Sequence, residues 1–183
     1  MVVGYRRSTG WASDQYVYFA AQFSKPFTSF DLHGNSGRYG RASFSTEKGE
    51  QILLKIALSP VSVEGAKKNL LAELAEWDFD KTVAAANLAW NEELGKVRIH
   101  TASKSYLRIF YTALYHTMVA PSIYSDVNSS NTTYTTFSLW DTYRAAMPLM
   151  TILHPDRMPD IINSMLDIYD KQGRLPVWHL WGN

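Results

Sequence analysis

Three side chains within one predicted helical turn carry the most chemistry in this sequence. In the run SLWDTYR at 138–144, Trp140, Asp141 and Arg144 bring together a flat indole, a carboxylate and a guanidinium. At a spacing of three, Asp141 and Arg144 share a helix face, and the plain reading is a local ion pair worth about 0.2–0.5 kcal/mol. Taken alone, that reading is favoured. The functional reading sets the turn near the mouth of a ring of helices, with Asp141 and Arg144 on the hydroxyls of a sugar and Trp140 as an apolar wall. Asp141 also falls near a helix start, where partial positive charge favours the ionised carboxylate.

A second candidate is LPVWHLWGN at 175–183. A buried loop with core aromatics explains Trp178 well and Asn183 less well, since an amide carbonyl after such a loop can serve a hard cation such as calcium. Other chemistries fail on residue type. There is no Cys and no G-x-S-x-G elbow, and the glycines at 34, 37 and 40 lack both a P-loop lysine and a strand-to-helix setting. His33, His100, His116, His154 and His179 are too scattered for a helical metal pair, so each reads first as structural. Phe110, Tyr111, Tyr115 and His116 recur at helical spacing and read as core. Asn128 and Asn131 each begin an N-x-[ST] pattern, read here as turn sequence.

These residues need a scaffold, and 183 residues suffice for one ordinary domain or two small ones. A net charge of +1 offers nothing to drive phosphate-backbone binding, which argues against a general nucleic-acid binder. A 46% hydrophobic share excludes a disordered tail, while no apolar run reaches the roughly 20 residues of a membrane span. The 11 Tyr, 8 Phe and 6 Trp are more than a core alone calls for, and such surplus often lines clefts or interfaces.

The two parts of the chain have different periods. Up to about residue 59 the pattern alternates: 15–23 places Val17, Phe19, Ala21 and Phe23 opposite Tyr16, Tyr18 and Gln22. Further strands are predicted at 41–46 and 51–58, joined as a hairpin through 47–50, where Gly49 supplies a positive φ. The stretch 31–40 is turn-rich. Beyond Pro60 the period is helical, and five helices are predicted. They run from the Ser62 cap to Trp77, from Asp80 to Leu94, from Ser103 to Val119, from Thr136 or Ser138 to His154 with a kink at Pro148, and from Pro159 to Gln172 with Gly173 as its stop. Short connections without strands between them describe a bundle, solenoid or toroid. An end on WHLWGN, and strands without a covering layer at the start, lead to the expectation of a chain cut at both ends from a larger fold.

Five runs together resemble glycoside hydrolase family 92, the exo-acting α-mannosidases: GWASDQYVYFAAQFSKPF at 10–27, KIALSPVSVEGA at 55–66, FYTALYHTMVAP at 110–121, SLWDTYR at 138–144 and GRLPVWHLWGN at 173–183. The last two are the most specific. The resemblance implies a mixed fold, mainly α in its C-terminal two-thirds, with residues 1–60 the end of a β-sandwich domain and 61–183 the first helices of an (α/α)6 toroid. It implies an enzyme that removes terminal α-linked mannose, α-1,2-linked above all, from N-glycans or mannan, with a periplasmic, cell-surface or secreted address. Hydrolysis would be inverting, with an acid and a base about 6.5–9.5 Å apart, and would be assisted by calcium. By resemblance Trp140, Asp141, Arg144 and His179 bind substrate, Asn183 is a metal ligand, and the general acid and base lie beyond residue 183. On that expectation the chain alone is inactive, and turnover by it would turn attention to Glu92, Asp126 and Asp141. Two alternatives stay open: a non-catalytic carbohydrate-binding or protein-interaction module, and another (α/α)6 glycosidase, which would not require these two specific runs.

Overall fold

The change of period becomes a change of architecture in the computed structural model, which describes residues 1–10, 12–34 and 39–180. Five strands come first: β1 (Val2–Ser8), β2 (Gln15–Phe23), β3 (Ser29–His33), β4 (Tyr39–Ser43) and β5 (Leu54–Ser59). Helices α1 (Val63–Glu73), α2 (Phe79–Leu94) and α3 (Lys104–His116) follow. The remainder alternates short strands with helices: β6 (Ser122–Ile123), β7 (Tyr134–Thr135), β8 (Phe137–Ser138), α4 (Leu139–Thr142), α5 (Ala146–Leu153), α6 (Met158–Gln172) and β9 (Trp178–His179). The residues form two compact units, Met1–Arg6 with Tyr16–Trp77 in the first and Arg7–Gln15 with the residues from Asp78 onward in the second.

The first unit holds a sheet in the order β1-β2-β5. Its β2 and β5 run antiparallel with Ala20 opposite Ala57, and the small side chains let α1 close on that face through Ala66 and Leu70. This contact joins α1 to the sheet within the first unit, which runs to Trp77. Ser62 caps α1 as predicted, its Oγ accepting from the Gly65 amide at 3.0 Å. The helix ends at Glu73 and does not reach Trp77, because buried Lys55 on β5 draws the carbonyls of Leu74 and Ala75 to its ammonium, at 2.7 and 3.0 Å. The opposite sheet face pairs Phe19 with Leu58, Ala21 with Ile56 and Phe23 with Leu54, and its β5 residues are each about half exposed.

The predicted hairpin between residues 41–46 and 51–58 does not form. Gly49 has its positive φ, of 84°, but the flanking strands choose other partners: β4 pairs with β3, and β5 with β2. The chain had two turn signals to choose from, and the nearer partner of β4 lies across the earlier one, where Gly34 also takes a positive φ. Part of the stretch expected to be turn is therefore strand.

In the second unit, Asp78 and Ser103 cap α2 and α3, and Trp90 of α2 meets Tyr115 of α3 edge-on at 4.7 Å. The core lies further on, where Phe137, Met150 and Ile161 are buried against Tyr134, Met158, Met165 and Ile168. The single fourth helix splits into α4 and α5. The break places Pro148 in the first turn of α5, where its missing N–H is not required, and removes the expected kink. Gly173 ends α6 in the left-handed region at φ 73°. The expectation of no strands between helices is also corrected: β6 pairs with β7 and β8 with β9, two residues each.

Candidate functional site

Three features of the chain converge on Ser138. Just before β8, Thr136 takes φ 70°, a left-handed conformation that β-branched residues rarely adopt. The twist lets the chain leave the ladder with β6 and enter one with β9. In that second ladder Phe137 faces His179 and Ser138 faces Trp178, so the runs 138–144 and 173–180, far apart in sequence, become neighbours. Phe137 anchors the junction in the core with no exposed surface.

The polar groups then diverge from the expected pattern. Asp141 and Arg144 make no ion pair with each other. The Ser138 hydroxyl donates to Asp141 Oδ2 and the Trp140 indole N–H donates to Ser138 Oγ at 2.9 Å. Arg144 turns instead to its neighbour Tyr143, donating from Nη2 to the phenol oxygen at 3.0 Å with the guanidinium 5.6 Å from the ring centre. Trp140 is 67% exposed, and Asp141 and Arg144 are exposed as well. An accessible carboxylate oxygen, guanidinium donors and an indole face thus stand within five residues, a combination that can bind vicinal hydroxyls while an apolar sugar face rests on the ring.

His179 is buried. Its Nε2 lies 2.9 Å from Gln172 Oε1, which can only accept, so that nitrogen carries the hydrogen and Nδ1 is a buried acceptor without a hydrogen-bond partner. Burial, and then the Arg174 charge, hold its pKa below the usual histidine value. Asn183 lies outside the described residues. Of the reserve carboxylates, Glu92 is exposed on α2 and Asp126 lies in the β6–β7 connection, away from the β8–β9 ladder in sequence. No group of three or more His, Cys, Asp or Glu side chains is placed to hold a metal ion among the described residues.

A further polar cluster escaped the sequence reading. Glu93, near the end of α2, meets Lys96 at 2.8 Å, His154 at 3.4 Å and the Arg157 guanidinium. Lys96 Nζ also donates to His154 Nδ1 at 2.9 Å, and His154 is only 1% exposed. Burial pushes the Glu93 carboxyl up, but the Lys96 hydrogen bond and the Arg157, Lys96 and His154 charges outweigh it and leave the pKa lowered. Burial, then Lys96, hold His154 below its ordinary value. The only local signals were the spacings of three between Glu93 and Lys96 and between His154 and Arg157; their meeting is a tertiary event.

Residues 65–183 match the glycosyl hydrolase family 92 catalytic domain. An uncharacterized secreted glycosidase of Arthroderma benhamiae is 26% identical over 149 residues, covering 79% of this chain and 17% of that protein. The structure of a family GH92 α-mannosidase from Bacteroides thetaiotaomicron superimposes with a TM-score of 0.88 at 34% identity, over 99% of this chain and 29% of that one. A family GH92 inverting mannosidase from the same species gives 0.77 at 27% identity, over 90% and 26%. The chain spans less than a third of the length of these relatives.

Proposed function

That the chain belongs to glycosyl hydrolase family 92 is the premise from which we propose that it forms part of an α-mannosidase and contributes a subsite for terminal α-linked mannose. Trp140 forms the wall of that subsite, Asp141 accepts from and Arg144 donates to ring hydroxyls, and His179, buried across the ladder from Phe137, keeps an Nδ1 without a hydrogen-bond partner. The observation that carries the reading is the β8–β9 register, in which Ser138 opposite Trp178 brings the two most specific sequence runs together. The glycan is proposed to be an N-glycan or mannan, α-1,2-linked, met outside the cell or in a periplasm.

The finer architecture is proposed on similar grounds. The open apolar face of β2 and β5 suits one layer of a β-sandwich, and α2, which has no buried residue, suits a helix of an (α/α)6 toroid whose neighbours lie elsewhere; the sandwich would end near residue 60.

Cleavage with inversion needs an acid that protonates the leaving oxygen and a base that activates water, about 6.5–9.5 Å apart. None of the described carboxylates is assigned to either role, so the chain by itself is proposed to bind without turnover. Calcium belongs to this proposal through Asn183 alone. Among the described residues no three His, Cys, Asp or Glu side chains gather to join it.

Calorimetric titration with methyl α-mannoside tests the subsite. Binding about tenfold weaker or worse in Asp141→Ala supports it, whereas affinity indifferent to that change sinks it. Rapid mannose release by the chain alone would overturn the assignment of the acid and base elsewhere.

A further inference from the structure

We propose that Ser138 is a positioning residue, whose hydroxyl fixes both Trp140 and Asp141 in the orientation that receives the sugar. The inference rests on the mannose-subsite reading and adds to it a residue that touches no sugar.

A hydroxyl has one hydrogen to give and two lone pairs to accept with. At Ser138 the hydrogen goes to Asp141 Oδ2, and one lone pair receives the Trp140 indole N–H. The result is a directional chain from indole through hydroxyl to carboxylate. Each bond polarises the next, and the series ends on the carboxyl oxygen. Two otherwise free rotors are locked together, while Asp141 Oδ1 stays available for a ligand.

The ordinary role for this serine is a helix cap, since it stands at the N-cap position of α4. It does not fill that role, because its side chain accepts from no backbone amide of the helix. Its backbone is also held from two sides. The ladder sets Ser138 opposite Trp178, and Thr142 Oγ1 donates to its carbonyl at 3.0 Å. The hub is therefore fixed before any ligand arrives, which is what preorganisation of a binding site requires. Because Arg144 is engaged with Tyr143, nothing but Ser138 orients Asp141 among the described hydrogen bonds.

The test uses Ser138→Ala and Ser138→Thr in the protein as the cell makes it. Two readouts are followed, the Trp140 indole N–H resonance with its hydrogen exchange, assigned by Trp140→Phe, and methyl α-mannoside affinity by calorimetry. In Ser138→Ala the indole signal should move upfield and exchange faster, and affinity should fall by about tenfold, the loss of one charge-assisted bond. Ser138→Thr keeps the hydroxyl and should restore both. An indole signal unchanged in Ser138→Ala overturns the proposal, as does a shifted signal with unchanged affinity. A wild-type protein that binds no mannoside overturns the subsite reading instead, and the indole shift alone then decides whether Ser138 orients Trp140.

Discussion

Thr136 shows how a single residue can be held away from its preference to serve its neighbours. A β-branched residue at φ 70° costs about 1–3 kcal/mol, and the cost is sustained because Phe137 on one side is fully buried and Ser138 is paired with β9. Replacing it by Gly relieves the strain but adds freedom to the unfolded chain, so Thr136→Gly should raise stability by up to about 1 kcal/mol in urea unfolding. Thr136→Val should give no such gain, and a loss in the Gly variant would show that the conformation is not strained. None of this was legible beforehand, since no residue type marks Thr136 as left-handed. Trp140, Asp141 and Arg144 were legible as a set because their types are unusual together within five positions. Their partners were not, because the choice of Ser138 over Arg144 for Asp141 depends on side-chain directions set by the short α4.

Helices α1 and α3 open at their expected caps, and α2 and α6 end at Leu94 and Gln172 as expected, whereas a tertiary contact decides the end of α1. Ser62 and Ser103 open α1 and α3 through side-chain bonds to amides three residues on, a local arrangement that any reading of caps finds. Asp78 opens α2 in the same way. The end of α1 depends on Lys55, which approaches from β5 and also lies 4.1 Å from the Trp77 ring centre. The ammonium there meets the negative end of the helix as well as two carbonyls. Lys55→Met, which keeps the stem and removes the charge, should therefore lower stability by about 2 kcal/mol in thermal or denaturant unfolding; a loss within error would mean that water serves those carbonyls equally well. The split of the fourth helix was hidden for a related reason. Pro148 signalled a disturbance, but whether the helix kinks or restarts depends on where Phe137 and Met150 are buried.

At the scale of the whole molecule, the Glu93, Lys96, His154 and Arg157 cluster ties the end of α2 to the turn between α5 and α6, and it carries a pH dependence whose sign can be worked out. His154 is held below its ordinary 6.5 in the folded chain, so the unfolded chain takes up a proton first and stability is lost as pH falls below that value. Glu93, held below 4.5, stabilises above its unfolded pKa and loses that contribution as pH falls further. The two effects run in the same direction, although the Glu93 charge, and less so Asp156, oppose the lowering at His154. The melting temperature should thus fall on acidification from pH 7 to 5, and His154→Gln should flatten that slope; an equal slope in the variant would show that the titration lies elsewhere. The division of the chain into an alternating part and a helical part was legible from period alone, whereas the pairings across 58 and 64 residues that close this cluster were not. The β8–β9 ladder adds a constraint of a different kind. Each strand is two residues long, and successive side chains on a strand point to opposite faces, so the pairing itself has a parity. A slip of one residue in that register would turn His179 outward and Trp178 inward and so undo the site without altering any residue of it.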